Sequence, residues 1–303
     1  MIGTCFYKGQ GLGNQLWAYS VVRATAEKQN LDFGFLGIDR FKGNELFPNL
    51  NFGLQITDKA PATPREWLPE GFKHYYREEL VRNIDGIDVS SLDPRVLSAS
   101  DGTFLDGGFQ SEKYFPEPSK VKSWFLLGES IRNVCTINLR GGEFKGVASL
   151  FLPKKYFLDA MEIVKRSDPS VQFEVVTDDP KLARSWFPDY PIYSSGGVKR
   201  FHGGIYIHPN RSKIRDDFAK LQASKYLILS NSSFSWWGAY TNPHAQLVIA
   251  PKYWANFNGS DGQWSTADSL TKGWIWLDKE GRTFDYATSL KELQDQPNGQ
   301  SSV

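Results

Sequence analysis

The stretch "KGQGLGNQLWAYSVVRATAEKQN", Lys8 to Asn30, follows directly on an apolar run, Ile2–Tyr7. Glycines alternate through its start, at Gly9, Gly11 and Gly13. From Asn14 to Gln29 the apolar Leu16, Tyr19, Val22 and Ala26 recur at helical steps, with Arg23 and Glu27 beside the stripe and able to reach water. A strand that passes through a bare-backbone turn into a helix is the opening unit of an α/β fold. Such a turn leaves backbone N–H groups unpaired at the positive end of a helix, where a phosphate or a sugar oxygen fits. The spacing matches neither common phosphate cradle. A dinucleotide fingerprint needs glycine where Asn14 stands, and a P-loop needs Gly-Lys-Ser/Thr where the chain has Gly13-Asn14-Gln15. On spacing alone, a tight turn packing the helix on its strand is favoured. The side-chain amides of Asn14 and Gln15 shift the balance, because amides beside bare backbone hold hydroxyl groups.

The same punctuation recurs. Apolar runs at Val134–Leu139, Phe173–Thr177, Tyr226–Leu229 and Gln246–Ile249 are each followed by turn or polar residues, and most lead into helical patterns. This alternation predicts parallel strands. Asp178-Asp179-Pro180 opens a helix with an acidic cap and an early proline, and Asp216 to Ala223 gives another with Phe218 and Leu221 on one side. Between Pro61 and Pro118, proline, tryptophan and charge are scattered without period. Trp67, Tyr75 and Tyr76 in that region could stack on a sugar ring, though packing is the commoner use of such residues. A boundary near Pro116–Val121 divides the chain into an N-terminal lobe, 1–120, and a C-terminal lobe, 121–303. Two α/β lobes facing a cleft suit a nucleotide-linked substrate.

Bulk properties narrow the classes. With 303 residues, 40% hydrophobic and 15% aromatic, the chain can bury a core without staples. A formal net charge of +1 gives no field toward nucleic acid or an acidic membrane. Cys5 and Cys135 both lie in apolar runs and read as buried thiols, and two cysteines with four histidines do not suggest structural zinc. No apolar run approaches the roughly 18 residues of a membrane span. The first residues do not read as a signal peptide, so a soluble, cytoplasmic protein is expected.

Three further stretches carry chemistry. In "CTINLRGGEFKG", Cys135 to Gly146, a strand ends at Asn138, Arg140, Gly141, Gly142 and Glu143. An arginine at the carboxyl end of a parallel strand stands where open α/β sheets bind ligands, and its fork suits two phosphate oxygens. An Arg140–Glu143 pair that closes the loop is the equal alternative. In "FEVVTDDPKLARSWF", Phe173 to Phe187, Asp179 reads as the helix cap, which leaves Asp178 free for a purine edge or a ribose hydroxyl. In "LILSNSSFSWWGAYTNPHAQLVIAPKYW", Leu227 to Trp254, a strand leads into Asn231, Ser232, Ser233, Phe234 and Ser235. Hydroxyls and N–H groups opening a helix can make a phosphate nest, although a plain serine cap is favoured from the stretch alone. Trp236 and Trp237 read as core.

Taken together, these stretches resemble glycosyltransferase family 11, the α-1,2-fucosyltransferase-like enzymes. Gly11 to Gln15 matches the family's Gly-Leu-Gly-Asn-Gln, and "FQSEKYF", Phe109 to Phe115, matches a second segment. Asn138 to Phe144 lies on the arginine motif, and Thr177 to Asp179 on the Ser/Thr-Asp-Asp strand end. Asn231 to Trp237 matches the specific Asn-Ser-Ser/Thr-Phe-Ser-Trp-Trp block, and Ala250 to Trp254 follows it in order. The resemblance implies a GT-B fold, two Rossmann-like lobes around a cleft, and an inverting hexosyltransferase that needs no metal or other cofactor. Its partners would be GDP-fucose as donor and a galactose-type residue of a glycan as acceptor, with no nucleic acid and no membrane span. It also implies roles. Arg140 would hold the diphosphate, with Asn138, Ser232, Ser233 and Phe234 around it, and Asp178 and Asp179 would lie by the nucleoside. Gly11, Gly13, Asn14 and Gln15 would lie near the fucose and the acceptor hydroxyl. Glu143 is the nearest motif acid for deprotonating that hydroxyl, with Asp106 and His202 as other candidates. One departure stands out. The family motif usually reads His-x-Arg-Arg-Gly-Asp-Tyr, whereas this chain has Asn138, Arg140, Gly141, Gly142, Glu143 and Phe144. Lys145, Arg200 or Arg211 could replace the second arginine. The change also opens two alternatives, another GDP-deoxysugar as donor or a glycan-binding remnant of the fold.

Overall fold

The parallel strands expected from the apolar runs are all present in the computed structural model, which describes residues 1–62, 67–82, 88–128, 130–195, 199–201, 204–206, 213–254 and 266–295. The chain divides into two units. Unit 1 is Met1–Phe125 with Ser265–Thr271 and Leu293–Val303, and unit 2 is Leu126–Trp264 with Lys272–Glu292. The first break thus falls at Phe125/Leu126, and the chain later returns to unit 1.

Unit 1 contains β1 (Ile2–Cys5), α1 (Leu12–Gln29), β2 (Phe33–Leu36), β3 (Leu54–Gln55), β4 (His74–Arg77), the short antiparallel pair β5 (Val81–Arg82) and β6 (Asp88–Val89), α2 (Pro94–Leu97), β7 (Thr103–Asp106) and α3 (Pro118–Trp124). Five strands form a parallel sheet in the order β3-β2-β1-β7-β4. Every residue of β1, β2 and β7 is buried, so both faces of the sheet centre are covered. The helix α1 is more deeply set than its four-residue stripe implies: from Leu12 to Val22 all residues but Asn14 are buried. Aromatic rings enclose it. Tyr19 stacks on Phe35 at 5.0 Å and meets the edge of Trp124, and Trp17 stacks on Phe115. Arg23 lies 4.1 Å over the Trp124 ring and pairs with Glu27, which Lys120 also holds. Those charges are therefore part of the packing rather than free in water. The helix ends where Asn30 turns left-handed, its N–H reaching the Ala26 and Glu27 carbonyls.

Unit 2 contains β8 (Arg132–Leu139), α4 (Lys154–Ser167), β9 (Gln172–Thr177), α5 (Pro180–Trp186), β10 (Ile192–Tyr193), the antiparallel pair β11 (Lys199–Phe201) and β12 (Gly204–Tyr206), α6 (Ile214–Ala223), β13 (Ser224–Ile228), α7 (Ser233–Tyr240), β14 (Leu247–Pro251), β15 (Ile275–Leu277), β16 (Thr283–Phe284) and α8 (Tyr286–Gln294). Its main sheet runs β10-β9-β8-β13-β14-β15-β16, parallel except for the last strand. Counted along the chain, the parallel strands follow the 3-2-1-4-5-6 order of doubly wound nucleotide-binding sheets. The buried faces of α4, Tyr156, Phe157, Ala160, Met161 and Val164, join Ile137, Val175 and Ile228 in one core. Trp237 is fully buried and Trp236 nearly so, as expected of core residues.

Cys5 and Cys135 are buried and unbridged. Burial pushes the Cys5 thiol up to about 12 and raises Cys135 as well, so both stay protonated and inert at neutral pH. Among the described residues no helix is long and apolar enough to cross a membrane. No three metal-ligating side chains gather among them either.

Candidate active site

In a doubly wound sheet the ligand crevice opens at the carboxyl ends of the two strands where the order reverses. In unit 2 these are β8 and β13, which pair in parallel up to Ile137 opposite Ile228. Just beyond this pair, Ser230 Oγ donates to Asn138 Oδ1 at 2.6 Å and ties the two strand ends together. Further along the same two strand exits stand Arg140 and Asn231. The topology thus brings the arginine motif and the Asn-Ser-Ser-Phe block, far apart in sequence, to one edge.

Arg140 is held from two sides. Nη1 lies 2.8 Å from Asp178 Oδ2, and Nη2 donates to Glu143 Oε1 at 3.1 Å. Its Nε is buried without a hydrogen-bond partner. The loop-closing pair with Glu143 therefore exists, yet it leaves part of the five-donor fork for a ligand. Asp178 is not the free carboxylate expected from the sequence, because its other oxygen accepts the Gly141 N–H at 2.8 Å. Its two oxygens hold the arginine and the backbone beside it, so it orients Arg140. Asp179 caps α5 by accepting from Leu182 N, as expected, and also pairs with Lys145. Lys145 thereby stands beside the cap, its side chain paired with Asp179. Glu143 is 76% exposed. Arg200, Arg211 and His202 fall outside the residues whose side chains are described.

Glycine at 141 is required by this packing. A Cβ there would lie 2.7 Å from Asp179 Cβ and 2.8 Å from Leu182 Cδ2. The helix cap Asp179 and Leu182 behind it occupy the space a second arginine would need. Restoring the usual family residue with Gly141→Arg is expected to lower stability by about 1–3 kcal/mol through overpacking and to weaken donor binding by displacing Asp179. Urea unfolding and GDP titration check both. A variant as stable as wild type would show that the loop has room.

The turn from β13 into α7 is fixed by its own bonds. The Ser230 carbonyl accepts from Ser232 N at 2.8 Å and from Ser235 Oγ at 3.3 Å, and Tyr156 Oη donates to the Leu229 carbonyl at 2.7 Å. Ser232 stands at the N-cap position, but its hydroxyl makes no capping bond. Ser233 opens the helix, and Phe234 packs edge-on to Phe218.

In unit 1 the order reverses between β1 and β7. The glycine turn follows β1. Gly9 has φ +85°, a conformation that favours glycine, and a Cβ at Gly9 or Gly11 would meet nothing within 4 Å. Gly11 is the N-cap of α1, and Gly13 is buried in its first turn. The turn therefore opens on free space. Asn14 is half-buried and its Oδ1 accepts from Gln110 at 3.4 Å. Gln15 departs from expectation. It is fully buried, its Nε2 donates to the Arg40 carbonyl at 2.9 Å, and its Oε1 accepts from Lys42 N at 2.9 Å. Both ends of this amide fasten α1 to the next loop and are not presented to a ligand.

At the end of β7, Asp106 is 4% exposed and accepts from two phenols, Tyr7 at 3.0 Å and Tyr75 at 2.6 Å. Burial, with Asp106 alongside, holds the Tyr7 hydroxyl well above its ordinary pKa, so it remains a donor. Neither Tyr75 nor Tyr76 is a loose sugar platform: Tyr75 stacks on Phe104, and Tyr76 donates to Asp93. Trp67 packs edge-on to Phe104.

A doubly wound sheet with an oriented arginine at its switch point is an arrangement suited to an anionic ligand. Comparison with known proteins carries this further. The profile of glycosyl transferase family 11 matches residues 124–278, and the chain belongs to this family. It is a glycosyltransferase. It is 25% identical over 311 aligned positions to an alpha-1,2-colitosyltransferase of Escherichia coli, covering 89% of this chain and 97% of that protein. It is also 28% identical to the O-antigen biosynthesis glycosyltransferase WbnK of Escherichia coli, over 48% of this chain and 45% of that protein. Among solved structures, POFUT1 with GDP superposes with a TM-score of 0.37 at 11% identity, over 81% of this chain and 96% of that one. A GDP complex of an Arabidopsis thaliana FUT1 mutant gives 0.39 at 10% identity, over 82% and 69%. At such scores neither superposition bears on the site.

Proposed function

We propose that this glycosyltransferase moves fucose from GDP-fucose to a sugar hydroxyl, O2 of a galactose-type residue on a glycan, with inversion and without a metal. The observation that carries this reading is Arg140, oriented by Asp178 at the switch point of the unit 2 sheet. The diphosphate meets the guanidinium and displaces the exposed Glu143 from Nη2. As the C1–O bond to GDP breaks, its electron pair goes to the β-phosphate, and Arg140 stabilises that charge where it develops. Ser232, Ser233 and Phe234 add hydroxyl and backbone N–H groups at the start of α7. The acceptor is assigned to unit 1, beside Gly11 and Asn14.

Inversion places the incoming hydroxyl on the face opposite the leaving group. Glu143, the acid of the arginine motif, freed when the diphosphate meets Arg140, is the base we assign to its proton. Asp106 of unit 1, whose carboxylate accepts from the Tyr7 and Tyr75 hydroxyls, is the alternative. The acceptor O–H proton passes to the base as the new C1–O bond forms.

A second donor, GDP-colitose, is favoured by the colitosyltransferase relative that aligns over nearly its whole length. The deciding assay measures GDP release in EDTA from each donor, with galactose-terminated acceptors. Acceptor-dependent turnover of GDP-fucose is the expected result. Turnover of GDP-colitose alone would reassign the donor, and loss of activity on chelation would overturn the metal-free mechanism.

A further inference from the structure

Asn231 is 5% exposed, and neither its Nδ2 nor its Oδ1 has a hydrogen-bond partner. Leaving one such buried group unpaired is unfavourable, and here both ends of one amide are unpaired. The side chain is not in a slack region. Ser230 before it bridges to Asn138, the Ser230 carbonyl takes two bonds, and Tyr156 anchors Leu229. Across the switch point Arg140 Nε is also buried without a partner.

The chemistry of the amide selects its ligand. A diphosphate offers acceptors only. It would satisfy Nδ2 but leave Oδ1 facing negative oxygens. A pair of neighbouring hydroxyls satisfies both ends, one accepting from Nδ2–H and the other donating to Oδ1. We propose that Asn231 is a hydroxyl-binding residue of the donor site, holding adjacent hydroxyls of a sugar ring on the nucleotide sugar. This rests on the nucleotide-sugar reading above. Two rings of the donor carry such hydroxyls, the transferred sugar and the ribose.

The test is calorimetric titration of wild type, Asn231→Leu and Asn231→Ala with GDP-fucose, GDP and 2′,3′-dideoxy-GDP, beside urea unfolding without ligand. Leucine fills the space of the amide without its polar atoms. The free Asn231→Leu protein should unfold at the same or a higher urea concentration, because an unpaired amide has been removed. A clear fall would mean the amide is bonded within the protein, and would overturn the proposal. In binding, a loss of roughly tenfold is expected. Confined to GDP-fucose, it assigns the contact to the transferred sugar. Present for GDP-fucose and GDP but absent for dideoxy-GDP, it assigns the ribose. An equal loss on all three probes, or no loss on any, rejects hydroxyl binding. If wild type bound neither GDP nor GDP-fucose, the nucleotide-sugar reading would fall and the proposal with it. If wild type binds and the variants match it, the proposal alone fails.

Discussion

Arg140→Ala is expected to reduce kcat/KM by about 10²- to 10³-fold while the protein stays folded. Removing one group aimed at developing charge has that order of effect. The fold should survive because Arg140 and the Asp178 it pairs with are both partly exposed, so the carboxylate left behind can be solvated. Arg140→Lys keeps the charge and loses the planar fork, so it should recover only part of the activity, about tenfold above alanine. GDP affinity should fall in both variants, most in alanine. Steady-state kinetics, GDP titration and circular dichroism separate these effects. A folded Arg140→Ala enzyme with unchanged kcat/KM would remove the arginine from the mechanism and return it to the loop-closing role its contact with Glu143 also supports.

Much of this was legible because it is local. Parallel strands buried on both faces read as continuous apolar runs, so β1, β8, β9, β13 and β14 were all visible. Asp179 with Pro180 announced a helix start that the structure repeats. Other features depend on partners distant in sequence. Asp178 looked free because its ligands, Arg140 and the Gly141 N–H, lie on another strand exit. Gln15 looked like a ligand-binding amide, but the loop at Arg40 and Lys42 folds back onto it. Asp106 gave little signal, because the two tyrosines that define its surroundings come from β4 and from the exit of β1. The role of Gly141 emerged only from what surrounds it, although its departure from the family motif was a usable clue. The depth of α1 escaped periodicity for the same reason: rings from β2, α3 and the residues before α3 cover faces that the helix sequence alone does not mark as apolar.

The largest stability effect is expected at the other end of β8. Arg132 Nη1 and Nη2 donate to the two Glu174 carboxylate oxygens, each at 2.6 Å. Thr136 Oγ1 donates to Glu174 Oε1 at 2.7 Å and lies 2.6 Å from Ser224 Oγ, so the carboxylate links β8, β9 and β13. Glu174 is buried, whereas Arg132 keeps about a third of its side chain in water. Arg132→Ala would leave a buried carboxylate with one hydroxyl bond, and a loss of about 3 kcal/mol is expected. The reverse deletion, Glu174→Ala, should cost less from charge, since the remaining guanidinium can turn to solvent. Replacing both residues together, Arg132→Met with Glu174→Leu, should recover most of the loss, because a buried ion pair is only weakly favourable relative to well-packed apolar groups. Urea midpoints at unchanged m-value measure all three. Because Arg132 stands at the opposite end of the strand from Arg140, kcat of the folded fraction should stay within about twofold in each. A double variant no more stable than Arg132→Ala would mean that the pair does more than neutralise a buried charge, and that its two bonds set the register in which β8 delivers Arg140 to the switch point.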